Sequence, residues 1–333
     1  MYLAHLELTH FRNYRQLEIN FDGGLMLLQG DNAQGKTNLL EAVYFLATSK
    51  PVHAQHEREV VGWQASDEPI PYCRIAGEIH EHPDSPQKSL TLEILLSSRG
   101  DNGNYKKQVK INGVNRRSMD LVGTMRAVLF LPEDIKLVAG SPGERRRYLD
   151  IALCQIDRNY CRTLSAYQKV VTQRNSLLKN LREQGADPNA PSTVAQLGFW
   201  DERLVQQGSQ IMARRAAYID TLQSRAEQRH DELTGSSEEL LLLYVSSFNQ
   251  GHLSELEFGQ LKEGTLPVEA YRTRYQVLDA DAIAAQYQRR LDHRRARELA
   301  AGNTLYGPHR DDLHLLANGR NLRAFGSRGQ QRT

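Results

Sequence analysis

The sequence predicts an α/β fold with a mainly helical domain inserted into it. Three observations carry that prediction. Period-two alternation of apolar and polar residues fills much of residues 1–130. Three- and four-residue apolar spacing dominates residues 144–302. Strand-like patterning then returns in residues 303–333.

The elements follow in order. YLAHLELTHF (2–11) and RQLEINF (15–21) alternate and read as a hairpin. GLMLLQG (24–30) is a continuous apolar run, the pattern of a strand buried on both faces. KTNLLEAVYFLA has helical spacing. Strands follow at YCRIAGEIH, SLTLEILLSS and YKKQVKI, the last ending at the tight-turn pair Asn112-Gly113. AVLFLPEDIKLV closes the region as a third apolar run. Leu149, Leu153, Ile156, Tyr160, Leu164, Tyr167, Val171, Leu178 and Leu181 then line one face of a single long helix, with a gap at Arg174 or Asn175. About 40 residues of helix would span roughly 60 Å. After the polar loop GADPNAPS, Leu197, Trp200, Leu204, Ile211, Tyr218 and Leu222 mark a second helix, returning antiparallel. EELLLLYVSSF reads as a strand, and DAIAAQYQRRLDHRRARELAAG as a helix with a glycine stop. DDLHLLANGRNLRAF is a hairpin turning at Asn318-Gly319, and Ser327 with Gln330 has the spacing of a helix-start capping box. The expected partition is residues 1–130 with 303–333 as one domain and 131–302 as the inserted helical one.

Composition narrows the class. Hydrophobic residues are 40% and charged residues 25% of 333, the globular range. A net charge of +2 gives no bulk case for nucleic acid, so such affinity must come from a local cluster. Cys73, Cys154 and Cys161 form no C-x-x-C pair and read as small buried hydrophobes in a reducing compartment. The N-terminus has no signal pattern, and no apolar run reaches the roughly 20 residues of a membrane span. The expectation is a cytoplasmic protein without a membrane segment.

Gly30, Asp31, Asn32, Ala33, Gln34, Gly35, Lys36 and Thr37 spell GDNAQGKT, a full G-x-x-x-x-G-K-[ST] match. It follows an apolar run and opens an amphipathic one. That order lets glycines wrap backbone N–H groups around phosphates at a helix N-terminus. Lys36 would reach the β- and γ-phosphates, and the Thr37 hydroxyl would ligate Mg²⁺. No guanine-reading N-K-x-D occurs, so ATP is favoured over GTP.

LTHFRNYRQLEINF, GDNAQGKTNLLEAVYFLA, FLPEDIKLVAGSPGERRRYLDIAL, LYGPHRDDL and FGSRGQQR together, in this order across the chain, resemble the bacterial RecF family. The phosphate loop is shared in style with SMC and Rad50 ATPases, whereas FRNY, PGERRRYLD and GPHRDD are more specific. The resemblance implies an ABC-type ATPase head with a helical, coiled-coil-like arm, the head being incomplete at its C-terminus here. It implies ATP-dependent homodimers that bind single-stranded and gapped or junction DNA. It also implies help in loading RecA, with RecR and RecO as partners, in recombinational repair and the SOS response. GSRGQ corresponds to the family's signature, so Ser327, Gly329 and Gln330 would meet the γ-phosphate held by another subunit. Arg12 in FRNY would approach the nucleotide. PEDIKLV falls where a water-sensing loop sits but offers Glu133 and Asp134 instead of a Gln, and His309, Arg310, Asp311 and Asp312 fall in a Pro-constrained turn.

Two basic clusters are candidates for DNA: Arg145 and Arg146 in GERRRYLD, and Arg290, Arg294 and Arg297 on one helix face. The apolar strand ending in an acid pair, which holds Mg²⁺ and polarises water, is missing from the sequence. The expectations are therefore a C-terminally truncated chain, weak ATP binding through Lys36 and Thr37, and little or no turnover. The alternative is a non-catalytic DNA- or partner-binding module that uses ATP only to dimerise. A transporter ATPase subunit fits the inserted helical segment poorly.

Overall fold

Alternation in the first twenty residues yields the expected hairpin, β1 (Tyr2–Phe11) paired antiparallel with β2 (Tyr14–Asn20). A computed structural model of the chain describes all residues except 55, 82–88, 101–103, 252, 268, 271–277 and 332–333. It comprises two units: Met1–Phe130 with Cys154–Arg158, and Leu131–Leu153 with Asn159–Thr333.

In the first unit, β3 (Tyr72–His80), β4 (Ser89–Ser98), β5 (Tyr105–Ile111) and β6 (Val114–Arg116) extend the hairpin into an antiparallel sheet of order β2-β1-β3-β4-β5-β6. Asn112 and Gly113, both at positive φ, make the predicted turn. One face carries Leu6, Leu8, Ile75, Ile94 and Leu96 against Leu39, Ala42, Phe45 and Leu46 of α1 (Lys36–Thr48). Gly77 permits this approach, because a Cβ there would lie 2.7 Å from Leu46 Cδ2. The other face is a charge ladder: Arg74 joins Glu7 to Glu93, and Lys110 bonds Glu93 at 2.7 Å.

GLMLLQG is not a strand. Leu27 is 84% exposed, and no strand among the described residues lies beside the run to satisfy its backbone. Apolar residues predict burial only when a partner supplies the other half of the ladder. Val128 and Phe130 are likewise exposed, and Pro132 then opens a 3-10 turn, with Asp134 accepting from the Leu131 amide.

In the second unit, the predicted single helix is two, α2 (Pro142–Ile156) and α3 (Arg158–Glu183), broken at Asp157. The break lies where the chain enters the first unit. There the Gln155 amide bonds both the N–H and the C=O of Ala127. The apolar gap at Arg174 is instead filled by a buried ion cluster. Helix α4 (Pro191–Thr234) has 44 residues and runs antiparallel to α3, with Tyr160 against Arg215, Arg174 against Asp201, and Leu178 and Leu181 clustered with Leu197. Strand β7 (Leu240–Val245), α5 (Glu255–Glu263) and α6 (Ala280–Ala301) follow. Strand β8 (Asp312–Ala317) pairs antiparallel with β7, turns at Asn318-Gly319 into β9 (Arg320–Asn321), and leads to α7 (Leu322–Phe325). Residues 303–331 thus associate with the helices, unlike the expected grouping with residues 1–130, because β7 supplies the ladder β8 needs.

Candidate functional site: a phosphate loop, a signature-like turn and a pinned GPHRDD loop

The phosphate loop wraps the start of α1. Ala33 (φ 65°) and Gly35 (φ 99°) are left-handed, and Asp31 to Gln34 are exposed. Lys36 Nζ donates to the carbonyls of Gly30 (2.7 Å) and Asp31 (2.6 Å), which holds the ammonium over the loop. Thr37 is exposed beside it. Its hydroxyl is a hard oxygen donor at the helix N-terminus, which suits Mg²⁺.

FRNY is the buttress of this loop. Tyr14 Oη donates to the Gly35 carbonyl at 3.0 Å, and Asn38 Nδ2 donates to Asn13 Oδ1 at 2.8 Å. Gly35 is favoured by its φ of 99°, and a Cβ there would lie 2.6 Å from Asn13 Nδ2 and push the FRNY side chains off the loop. Arg12 is bidentate to the buried Glu41 at 2.9 Å and donates to Glu59 O at 2.9 Å. Burial opposes ionisation of Glu41, but the Arg12 and His53 hydrogen bonds outweigh it and hold its carboxyl below the usual range. Arg12 therefore ties α1 to the following loop, a role that sequence reasoning missed. Its spacing from Glu41, an acid on the inner face of an apolar helix, was the available signal.

The signature-like turn carries the predicted capping box. Ser327 N donates to Gln330 Oε1 at 2.9 Å, and Gln330 N donates to Ser327 Oγ at 3.2 Å. Gln331 N donates to Ser327 O at 3.0 Å, closing one helical turn. Ser327, Arg328 and Gly329 are exposed.

The basic candidates divide. Arg145 is 2% exposed, bidentate to Asp312, and also bonds Gly140 O at 3.0 Å. It is an internal clamp, which corrects its expected role as a DNA contact. Arg146 donates to Asp311 O at 2.7 Å. Arg290 lies over the Tyr306 ring and 3.9 Å from Glu255. Arg294 and Arg297 are exposed on α6.

GPHRDD is pinned from all sides within its unit. Arg215, buried in α4, donates to Pro308 O and Asp150; Arg174 donates to Thr304 Oγ1, Asp201 and Glu298. Asp311 accepts from Ser247 N and from the Tyr244 hydroxyl. Gly307 (φ 120°) could carry no Cβ, which would meet Tyr287 Oη at 2.1 Å. His309 Nε2 faces Thr304 O at 3.1 Å and Nδ1 faces Tyr167 Oη at 2.7 Å. A carbonyl only accepts, so Nε2 carries the proton and Tyr167 donates to Nδ1. Burial lowers the His309 pKa to about 4, in accord with a neutral ring. Glu133 and Asp134 occupy a 3-10 turn in which Asp134 caps its own backbone.

Comparison with known proteins places these features. The family model described as "RecF/RecN/SMC N terminal domain" matches residues 2–332. The DNA replication and repair protein RecF of Chloroflexus aggregans is 39% identical over 340 residues, covering all of this chain and 79% of the relative. That of Herpetosiphon aurantiacus is 37% identical over 339 residues, covering all of this chain and 78% of the relative. A solved structure described as the recombination mediator protein RecF-ATPrS in the RecFOR pathway superimposes with a TM-score of 0.79 at 29% identity, over 99% of this chain and 77% of that one. With phosphate loop, FRNY buttress and signature-like turn spread along one continuous match, the chain belongs to the RecF family.

Proposed function

We propose that this chain is an ATP-binding DNA-repair and replication protein of RecF type. It takes MgATP on Gly30–Thr37, with Lys36 on the phosphates and the Thr37 hydroxyl on Mg²⁺. ATP drives pairing of two copies, in which Ser327, Gly329 and Gln330 of one copy approach the γ-phosphate held by the other. Arg290, Arg294 and Arg297, with Arg146 at the side, hold the backbone of single-stranded and gapped or junction DNA. Its setting is the cytoplasm, and its partners in RecA loading, recombinational repair and the SOS response are RecR and RecO. The observation that carries the reading is Lys36 poised over left-handed loop residues at the start of α1, with its ammonium held, among the described residues, by two loop carbonyls that phosphate oxygens can replace. The test is MgATP titration and sedimentation with and without ATP. The unsubstituted chain should bind and pair, and Lys36→Ala should do neither. MgATP affinity unchanged in Lys36→Ala would refute the reading.

A further inference from the structure

One hydrogen bond of the signature-like turn leads away from it. Gln330 Nε2 donates to Glu238 Oε1 at 2.7 Å. Glu238 lies just beyond the C-terminal end of the long helix α4. There Gly235 (φ 62°) and Ser236 (φ 58°), both left-handed, reverse the chain directly after Thr234. The reversal brings Glu238 Oε2 to 3.7 Å from Nε2 of His230, a buried residue of the last turns of α4. The neighbouring strand end is doubly fastened: Glu239 N donates to Asn318 Oδ1 and Asn318 N to Glu239 O, both at 2.9 Å. Glu238 therefore sits on a fixed base, whereas Gln330 sits on an exposed turn.

We propose that Glu238 is the positioning residue of the signature-like turn, and that it makes the end of α4 and this turn one structural unit. The chemistry is directional. A carboxylate only accepts, so the Gln330 amide must present its nitrogen to Glu238 and its oxygen to the Ser327 N–H. In that orientation the capping box closes, and the Gln330 N–H occupies a lone pair of Ser327 Oγ. The Ser327 O–H is left to donate outward, as a phosphate oxygen requires. Without Glu238 the amide is free to turn. Its nitrogen would then face the Ser327 N–H, two donors against each other, and the cap would open. The functional consequence rests on the ATP-driven pairing proposed above; the structural part does not.

The test uses the whole chain with Glu238→Ala and Glu238→Gln. Hydrogen exchange without nucleotide is the first readout. Ser327 and Gln330 amides should exchange about tenfold faster in Glu238→Ala, a loss of about 1.4 kcal/mol of local protection, with β7 unchanged. Glu238→Gln keeps an acceptor and should restore most of the protection. Equal exchange in all three proteins overturns the proposal; if Glu238→Ala does not fold, Glu238→Met, which keeps side-chain volume but has no carboxylate acceptor, takes its place with the same expected and overturning results. The second readout is ATP-driven pairing. It should weaken about tenfold in Glu238→Ala while MgATP affinity of the single copy is unchanged. Undiminished pairing in Glu238→Ala overturns the functional part. If the unsubstituted chain itself never pairs with ATP, the pairing reading fails, and hydrogen exchange alone still decides the role of Glu238.

Discussion

Lowering the pH should destabilise the second unit through one imidazole. His309 is held neutral by burial, with Nε2 donating to Thr304 O and Nδ1 accepting from Tyr167. Its pKa falls from 6.5 to about 4 in the folded chain. The unfolded chain therefore takes up a proton first. The contribution is fully present above pH 6.5 and is lost progressively as the pH falls towards 4. A shift of this size corresponds to about 2 kcal/mol lost at pH 5 and roughly 3 kcal/mol at pH 4. Urea unfolding at pH 7.5, 6, 5 and 4.5 reads it, with Trp200 in the second unit as the reporter. Trp63→Phe removes the other tryptophan, which is 78% exposed, so its replacement should leave the fold undisturbed. Against that background, His309→Gln should be less stable at pH 7.5 but should lose about 2 kcal/mol less between pH 7.5 and pH 5. Parallel pH profiles for the two proteins would refute the assignment of a buried neutral imidazole.

Three further outcomes are expected. Arg174→Met should destabilise the second unit by about 3–5 kcal/mol in urea unfolding, because Asp201 and Glu298 lose a buried partner; a loss under about 1 kcal/mol would mean the cluster is open to water. Arg294→Ala with Arg297→Ala should flatten the logarithmic salt dependence of single-strand binding by about 0.7 for each phosphate no longer neutralised. Arg145→Ala should leave that slope unchanged and lower stability instead; a flattened slope there would place Arg145 on DNA. Tyr14→Phe removes the bond to the Gly35 carbonyl, worth about 0.5–1.5 kcal/mol, and should weaken MgATP binding two- to tenfold in calorimetry, with unchanged affinity counting against the buttress.

Legibility in the sequence followed the range of the interaction. Local patterns succeeded: strands 72–80, 89–98 and 105–111, both Asn-Gly turns, the Gly302 stop and the Ser327–Gln330 capping box are all present. Each depends on residues within one or two turns of each other. GLMLLQG failed because burial of a strand is a property of its neighbours, and these are not written in the run itself. The helix break at Asp157 and the filling of the apolar gap at Arg174 were hidden for a similar reason. An arginine in an apolar stripe looks like an interruption, but Asp201 and Glu298 from other helices complete it. Arg145 and Arg146 are adjacent in sequence and indistinguishable there, yet one is sealed against Asp312 across 167 residues.

The concentration of buried arginine around residues 304–312 has its own logic. An ion pair buried in a core is on average no more stabilising than an apolar group of the same shape, so charge alone does not explain three sealed guanidiniums. The segment is irregular backbone, however, and buried irregular backbone has carbonyls that neither helix nor sheet satisfies. Pro308 O and Asp311 O receive arginine N–H groups from α4 and α2, and Tyr306 O receives the Tyr287 hydroxyl from α6. Guanidinium offers five donors in a fixed fork, which lets Arg215 serve Pro308 O and Asp150 at once. Lysine in its place would supply charge without the fork, and methionine would supply volume without donors. Arginine thus serves this turn in two ways: Arg215 and the half-buried Arg146 satisfy backbone carbonyls, and Arg145 and Arg174 hold the Asp312 and Thr304 side chains. Gly307, which tolerates no Cβ between Tyr167 and Tyr287, is the backbone counterpart of the same requirement. Gly307, Pro308, Asp311 and Asp312 of GPHRDD are therefore placed by how the loop is packed, with Arg310 as its exposed member.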